Sequence, residues 1–177
     1  MRKKKISISI PLSGKFLMLS ENILDKLQRK FGVKFINNKD CRPHINLFSG
    51  IINDENSVKE FILKNIKILK HKKIDFNGLG VFLNRNPTIY FRFKKINELL
   101  NFRNKLYNKK FWIKKDFSVS ENDWIVKSTI VHKDLTLDKL SKISKFLLSH
   151  RFPKKMLINE IILIDYTNDE FELDRFK

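Results

Sequence analysis

The sequence predicts an α+β fold of two similar lobes, each an antiparallel sheet, around a central cleft. Two observations carry that expectation. Apolar runs of period two alternate along the chain with runs of helical period, and every helix is flanked by strands. The second half also repeats the first: RPHINLFSGIINDENSVKEFILKNI aligns with IVKSTIVHKDLTLDKLSKISKFLL, allowing a one-residue slip in the turn, and KKIDFNGLGVFLNRNPTIYFRF aligns with KKMLINEIILIDYTNDEFELDRF. Lys72 lies as far beyond His44 as Lys155 lies beyond Lys127. The chain has 177 residues, enough to bury a core as one domain, 1–177, made of the two repeated lobes.

KISISI alternates Ile6, Ile8 and Ile10 with Ser7 and Ser9, the pattern of a half-buried strand. LSENILDKLQRKFG follows as a helix, with Ser20 as N-cap, Ile23, Leu24, Leu27 and Phe31 as its buried stripe and Gly32 as its stop. CRPHINLFSG is the second strand, and ENSVKEFILKNIKIL the second helix, through Val58, Phe61, Ile62, Ile66 and Leu69. KIDFNGLGVFL and TIYFRF are two strands joined by the turn NRNP. INELLNFRNKLYNKKF is a third helix burying Leu99, Leu100, Phe102 and Leu106, and 113–123 reads as a polar, flexible loop between Trp112 and Trp124. WIVKSTIV is then a strand, TLDKLSKISKFLLSH a helix, and KMLINEIILIDY and EFELDRF a closing pair of strands joined near TND.

Lys and Arg number 37 against 19 Asp and Glu, a formal charge of +18. A compositional bias that enriches Lys should enrich Glu as well, so this excess points to an anionic partner such as RNA or a nucleotide. Cys41 is the single cysteine, which excludes a disulfide framework or a cysteine metal site and fits a reducing, cytoplasmic setting. The basic start MRKKK is followed by Ser7, Ser9, Pro11 and Lys15, which interrupt any signal-peptide core. No run approaches the roughly 20 apolar residues of a membrane span, so a soluble protein without a membrane partner is expected; a monomer is expected as well.

Within CRPHINLFSG, strand alternation puts His44 and Asn46 on one face and Ile45 and Leu47 on the other. The repeat matches His44 with Lys127 and Asn46 with Thr129, so two equivalent strands would each present a polar residue at i and i+2 to a cleft between lobes. Two proton-carrying groups flanking a phosphodiester are what general acid–base cleavage requires, and the amide and hydroxyl beside them can hold the phosphate oxygens. In TIYFRF, Tyr90 and Arg92 share the face opposite Ile89, Phe91 and Phe93, where a ring can stack on a base and a guanidinium can fork a phosphate. His132 stands at an odd offset from Lys127, so a regular strand turns it to the opposite face and only a bulge would bring it round. His71 and His150, beside lysines at helix ends, read as solvated. The chain carries no glycine-rich phosphate loop, nucleophile elbow or metal-ligand cluster in its sequence motifs.

These residues resemble the two-histidine (2H) phosphoesterases, which include the 2′–5′ RNA ligase-like proteins and cyclic nucleotide phosphodiesterases. RPHINLFSG looks like the first His-x-Thr/Ser motif, with Asn46 where Thr or Ser is usual. WIVKSTIVHKDLT looks like the second, with Val126 and Lys127 in place of Pro and His while Thr129 remains. The resemblance implies a bilobal α+β fold acting on RNA ends or nucleotides, a 2′,3′-cyclic phosphate, a 2′–5′ linkage or a cyclic oligonucleotide, with no metal or other cofactor. By the same resemblance His44 is one half of the acid–base pair and Lys127 stands in for the other. A lysine, with an ordinary pKa of about 10.4, donates a proton or stabilises negative charge but is a poor base at neutral pH. Two functions therefore follow: a phosphodiesterase using His44 and Lys127, or a binding protein that keeps the charged cleft and sequesters RNA or a nucleotide.

Overall fold

In the computed structural model, which describes residues 3–36, 42–83, 87–116, 123–167 and 171–177, the chain runs β1 (Lys4–Pro11), α1 (Gly14–Phe31), β2 (His44–Ile52), α2 (Glu55–Asn65), β3 (Lys73–Phe82), β4 (Thr88–Phe93), α3 (Asn97–Tyr107), β5 (Trp112–Asp116), β6 (Lys127–Val131), α4 (Leu137–Leu148), β7 (Lys155–Leu157), β8 (Ile161–Asp165) and β9 (Phe171–Phe176). The strands join in the order β7-β3-β4-β6-β2-β1-β8-β9, with β5 added beside β2, and every pairing is antiparallel. The two antiparallel sheets expected from the repeat are thus halves of one sheet, joined where Ile45 of β2 pairs with Ser128 of β6.

The alignment of TIYFRF with EFELDRF does not hold: about the β2–β6 junction the sheet order sets β1 against β4 and β3 against β8. The structural repeat is therefore β1-α1-β2-α2-β3 against β4-α3-β6-α4-β8, and its last strand crosses over. β3 pairs with β4, the first strand of the second repeat, while β8 pairs with β1, the first strand of the first. Each half of the sheet is therefore assembled from both repeats.

All four helices among the described residues feed one core. Phe16, Ile23 and Leu27 of α1, Val58 and Ile62 of α2, Leu99, Phe102 and Leu106 of α3, and Ile143 and Leu147 of α4 join Ile6, Ile8, Ile45, Leu47, Phe91 and Leu163 from the strands. Each such side chain contributes about 1.5–3 kcal/mol when fully buried. That packing takes one sheet face and leaves the alternate residues, Ser7, Ser9, His44, Asn46, Tyr90, Arg92, Lys127 and Thr129, on the other.

Several elements differ from the pattern-based expectation. α1 begins at Gly14 after the N-cap Ser13, because Phe16 lies in phase with Ile23 and Leu27 and extends the apolar stripe backwards. Ser20, the expected cap, is buried mid-helix, where its hydroxyl donates to the Leu17 carbonyl at 2.8 Å. Gly32 does end the helix, in the left-handed region at φ 65°, its N–H donating to the Gln28 carbonyl at 3.0 Å. Residues 112–116 form β5 instead of a loop, because β6 leaves the far end of β2 unpaired and that open edge accepts another strand. KMLINEIILIDY is two strands: β7 joins β3 and β8 joins β1, on opposite halves of the sheet. β1, which lies between β2 and β8, is buried on both faces from Ile6 onward, and the hydroxyls of Ser7 and Ser9 bond each other at 2.8 Å. Trp112 and Trp124 are both core residues. Cys41, Asn84–Asn86 of the NRNP turn, 117–122 and 168–170 lie outside the described residues. Among those described, no helix is long and apolar enough to cross a membrane.

Candidate functional site

The pairing of Ile45 with Ser128 places both on the core face, so their neighbours turn to the polar face together. The antiparallel register then sets His44 across from Thr129 and Asn46 across from Lys127. The residues that the repeat matches, His44 with Lys127, are diagonal neighbours on one sheet, not partners facing across two lobes. β4 extends both rows, with Tyr90 opposite Thr129 and Arg92 opposite Lys127. All six residues singled out in the sequence share one face.

His44 opens β2 and is half-buried. Its Nδ1 lies 2.9 Å from the Arg42 carbonyl oxygen, which can only accept, so Nδ1 carries the hydrogen. In the neutral ring Nε2 is then the basic atom, and it accepts from the Tyr166 hydroxyl at 3.2 Å. Tyr166 follows β8 and was not singled out by sequence reasoning. It shares parity with Ile162 and Ile164, and strand alternation alone places it on a face with them, but only the crossover of β8 onto β1 carries that face to His44.

Lys127 is half-buried, and among the described residues no carboxylate pairs with it. Its ammonium lies 3.5 Å from the Thr129 hydroxyl, 5.7 Å from the ring centre of Phe82 and 5.8 Å from that of Tyr90. Those two rings pack at 4.7 Å with 33° between their planes. Burial pushes the Lys127 pKa below the ordinary lysine value. Tyr90 is on the expected face, but it is only 5% exposed, packed on Phe82 and seated over Gly80, where an added Cβ would collide with its ring. Its ring serves as wall more than as stacking surface. Arg92 is exposed and lines a cavity of about 360 Å³ with Lys94, Lys95, Asn77 and Trp124.

His132 does not lie on the face that regular alternation predicts. β6 carries one extra residue between Thr129, opposite Tyr90, and Val131, opposite Ile89. Ile130 and Val131 both enter the core as a result, and His132 emerges on the polar face, where its Nδ1 lies 2.9 Å from the Thr88 hydroxyl. Of the other two histidines, His71 is exposed, and His150 packs on Phe146 with Nδ1 donating to the Phe146 carbonyl at 2.9 Å.

A family model described as the 2′-5′ RNA ligase superfamily matches residues 19–170. No curated protein matches the chain. Among solved structures the fold is similar to that of a protein described as a phosphoesterase, at 12% identity and a TM-score of 0.52, over 98% of this chain and 97% of that one. It is also similar to E. coli LigT complexed with 3′-AMP, at 12% identity and 0.52 over 98% and 96%, and to E. coli LigT complexed with NADP+, at 12% and 0.52 over 99% and 98%.

Proposed function

Because the chain belongs to the 2′-5′ RNA ligase superfamily, we propose that the face formed by β2 and β6 binds a phosphodiester of an RNA end or nucleotide and acts on it. The observation that carries this reading is the arrangement of His44. Its ring is fixed by the Arg42 carbonyl so that Nε2 is the basic atom, on the same sheet face as an ammonium, an amide and a hydroxyl. In this role His44 takes a proton from the attacking water or hydroxyl. Lys127 neutralises the charge that grows on the phosphoryl oxygens, and its lowered pKa is the direction that eases proton donation. Asn46 and Thr129 hold the oxygens, and Arg92, with the walls formed by Tyr90, serves the next part of the ligand.

The substrate class is a 2′,3′-cyclic phosphate, a 2′–5′ linkage or a cyclic oligonucleotide. The similar LigT structures hold 3′-AMP and NADP+, both phosphate-bearing nucleotides, and the +18 charge favours such ligands. The chain works as a single domain of two repeated lobes, 1–177, in the cytoplasm and as a monomer, the last of which light scattering tests. Incubation with a panel of cyclic-phosphate, 2′–5′-linked and cyclic nucleotides, following both binding and turnover, tests the function. Turnover lost in His44→Ala supports it, and no binding to any member of the panel overturns it.

One feature favours a second reading. Lys127 occupies the position where an imidazole would serve, and a lysine does not cycle between acid and base near neutral pH. Tight binding without turnover in the same panel marks the protein as a sequestering RNA- or nucleotide-binding protein.

A further inference from the structure

We propose that His132 is a second imidazole of the phosphate site and the group that protonates the leaving oxygen, an assignment that rests on the phosphoesterase reading above. The two central strands carry the same irregularity. In β2, Phe48 pairs with Ile8 and Asn46 with Ser9, leaving Leu47 extra. In β6, Val131 pairs with Ile89 and Thr129 with Tyr90, leaving Ile130 extra. HINLFS and KSTIVH therefore follow one course, with two consecutive core residues and then a return to the polar face, and His132 occupies the place that Ser49 holds in the first repeat.

His132 is also held there by its described neighbours. Its Nδ1 is engaged by Thr88, so Nε2 is the ring atom turned away from that partner, and the edge of Phe35 packs on the ring at 5.7 Å. The chain then turns sharply: Asp134 N–H donates to the His132 carbonyl at 2.8 Å, across Lys133 at φ 64°, a left-handed conformation costing of order 1–3 kcal/mol in a residue other than glycine. The Asp134 carboxylate clamps the turn by accepting from the backbone N–H groups of Lys34 and Phe35, both at 2.7 Å. A bulge before it, a strained turn after it and a hydroxyl beside it aim one imidazole at the face that carries His44. Among the described residues, the charged and titratable groups placed near it include Lys34, Lys133 (its ammonium 4.4 Å from the Phe35 ring centre) and the clamped Asp134, and along the sheet face Tyr90, Lys127 and His44.

For a 2′,3′-cyclic phosphate the step balances as follows. The water oxygen bonds to phosphorus while the bond from phosphorus to one ribose oxygen breaks. One water proton passes to His44 Nε2, and the proton on His132 Nε2 passes to the departing ribose oxygen. Lys127 stays protonated and holds the phosphoryl charge. Each turnover leaves one proton on His44 and removes one from His132, and exchange with solvent restores both.

The test is hydrolysis of adenosine 2′,3′-cyclic phosphate from about pH 5 to 9 by wild type, His44→Ala, His132→Gln and His132→Ala, with affinity for adenosine 3′-monophosphate measured alongside. His132→Gln keeps a polar group for Thr88, so its melting temperature serves as the check on folding. The expected result is a kcat lowered about 100-fold or more in His132→Gln, little change in 3′-monophosphate affinity, and loss of the limb on which the wild-type rate falls above neutrality. Added imidazole is expected to restore part of the rate in His132→Ala, which a merely structural role would not allow. Wild-type turnover that disappears in His44→Ala but keeps its rate and pH profile in His132→Gln overturns this inference and leaves the phosphoesterase reading standing. Binding without wild-type turnover overturns the donor role, and absence of both overturns the two together.

Discussion

Ile45 and Ser128 pair across the centre of the sheet, and that one pairing brings the two halves of the repeat onto a common surface. Both side chains are fully buried among the helices. The residues on either side of them, His44 and Asn46 on β2 and Lys127 and Thr129 on β6, are therefore forced to the opposite face within cross-strand reach of each other. A one-residue slip of either strand would exchange these four side chains with apolar ones, so burial of the core fixes the composition of the site.

Tyr166→Phe removes the hydroxyl that His44 Nε2 accepts from. A hydrogen bond of this kind contributes about 0.5–1.5 kcal/mol. Turnover is expected to fall by up to about tenfold, with ligand affinity nearly unchanged. Steady-state kinetics on a cyclic phosphate check this, and an unchanged rate would place the phenol outside the reaction.

Lys127 is a partly buried cation with a depressed pKa. The native state gives up this proton before the unfolded chain does. Between the folded pKa and the ordinary value of about 10.4, the unfolded state binds more protons, so stability rises with pH in that window. Below it the charged side chain costs stability. Lys127→Met is expected to raise the melting temperature at neutral pH by about 2–4 °C, to weaken the stability gain at alkaline pH, and to lower affinity for 3′-AMP. Thermal melts and calorimetry read these together, and a lowered melting temperature contradicts the burial argument.

Arg92 is exposed beside Lys94 and Lys95 at the end of the row that begins with Asn46 and Lys127. If it meets a second phosphate, binding of a short single-stranded RNA weakens as salt rises, and Arg92→Ala flattens the slope of log affinity against log salt by about 0.7, the release expected for one contact. Affinity for a mononucleotide should be less affected. Equal losses for both ligands would place Arg92 at the first phosphate.

Gly80 lies beneath the Tyr90 ring, and any Cβ there collides with it. Gly80→Ala must move the ring, and with it Phe82 and the aromatic wall beside Lys127. Overpacking of this kind costs about 1–3 kcal/mol. A loss of stability accompanied by weaker ligand binding is expected in melts and titrations; wild-type values for both would show that the ring moves at no cost.

The elements and the six facing residues were legible because side-chain periodicity is a local property of the backbone. Ile6, Ile8 and Ile10 mark a strand, and His44 and Asn46 share a face, whatever the strand lies against. Gly32 ends a helix for an equally local reason, its left-handed φ. Where the local signal failed, a distant partner had intervened. Ser20 lost the cap because Phe16 found a place in the core, and residues 112–116 became a strand because β2 offered an open edge.

By itself the sequence determined the α+β class, the internal repeat, the family resemblance and the polar face carried by each central strand. The tertiary structure alone decided which strands lie side by side. It exchanged β3 and β8 between the repeats, brought Tyr166 to His44 across 122 positions, and set His44 diagonal to Lys127 on one sheet. It also placed His132 on the polar face, because a bulge exists only relative to the register of a neighbouring strand, and no periodicity within KSTIVH records that β4 skips Ile130.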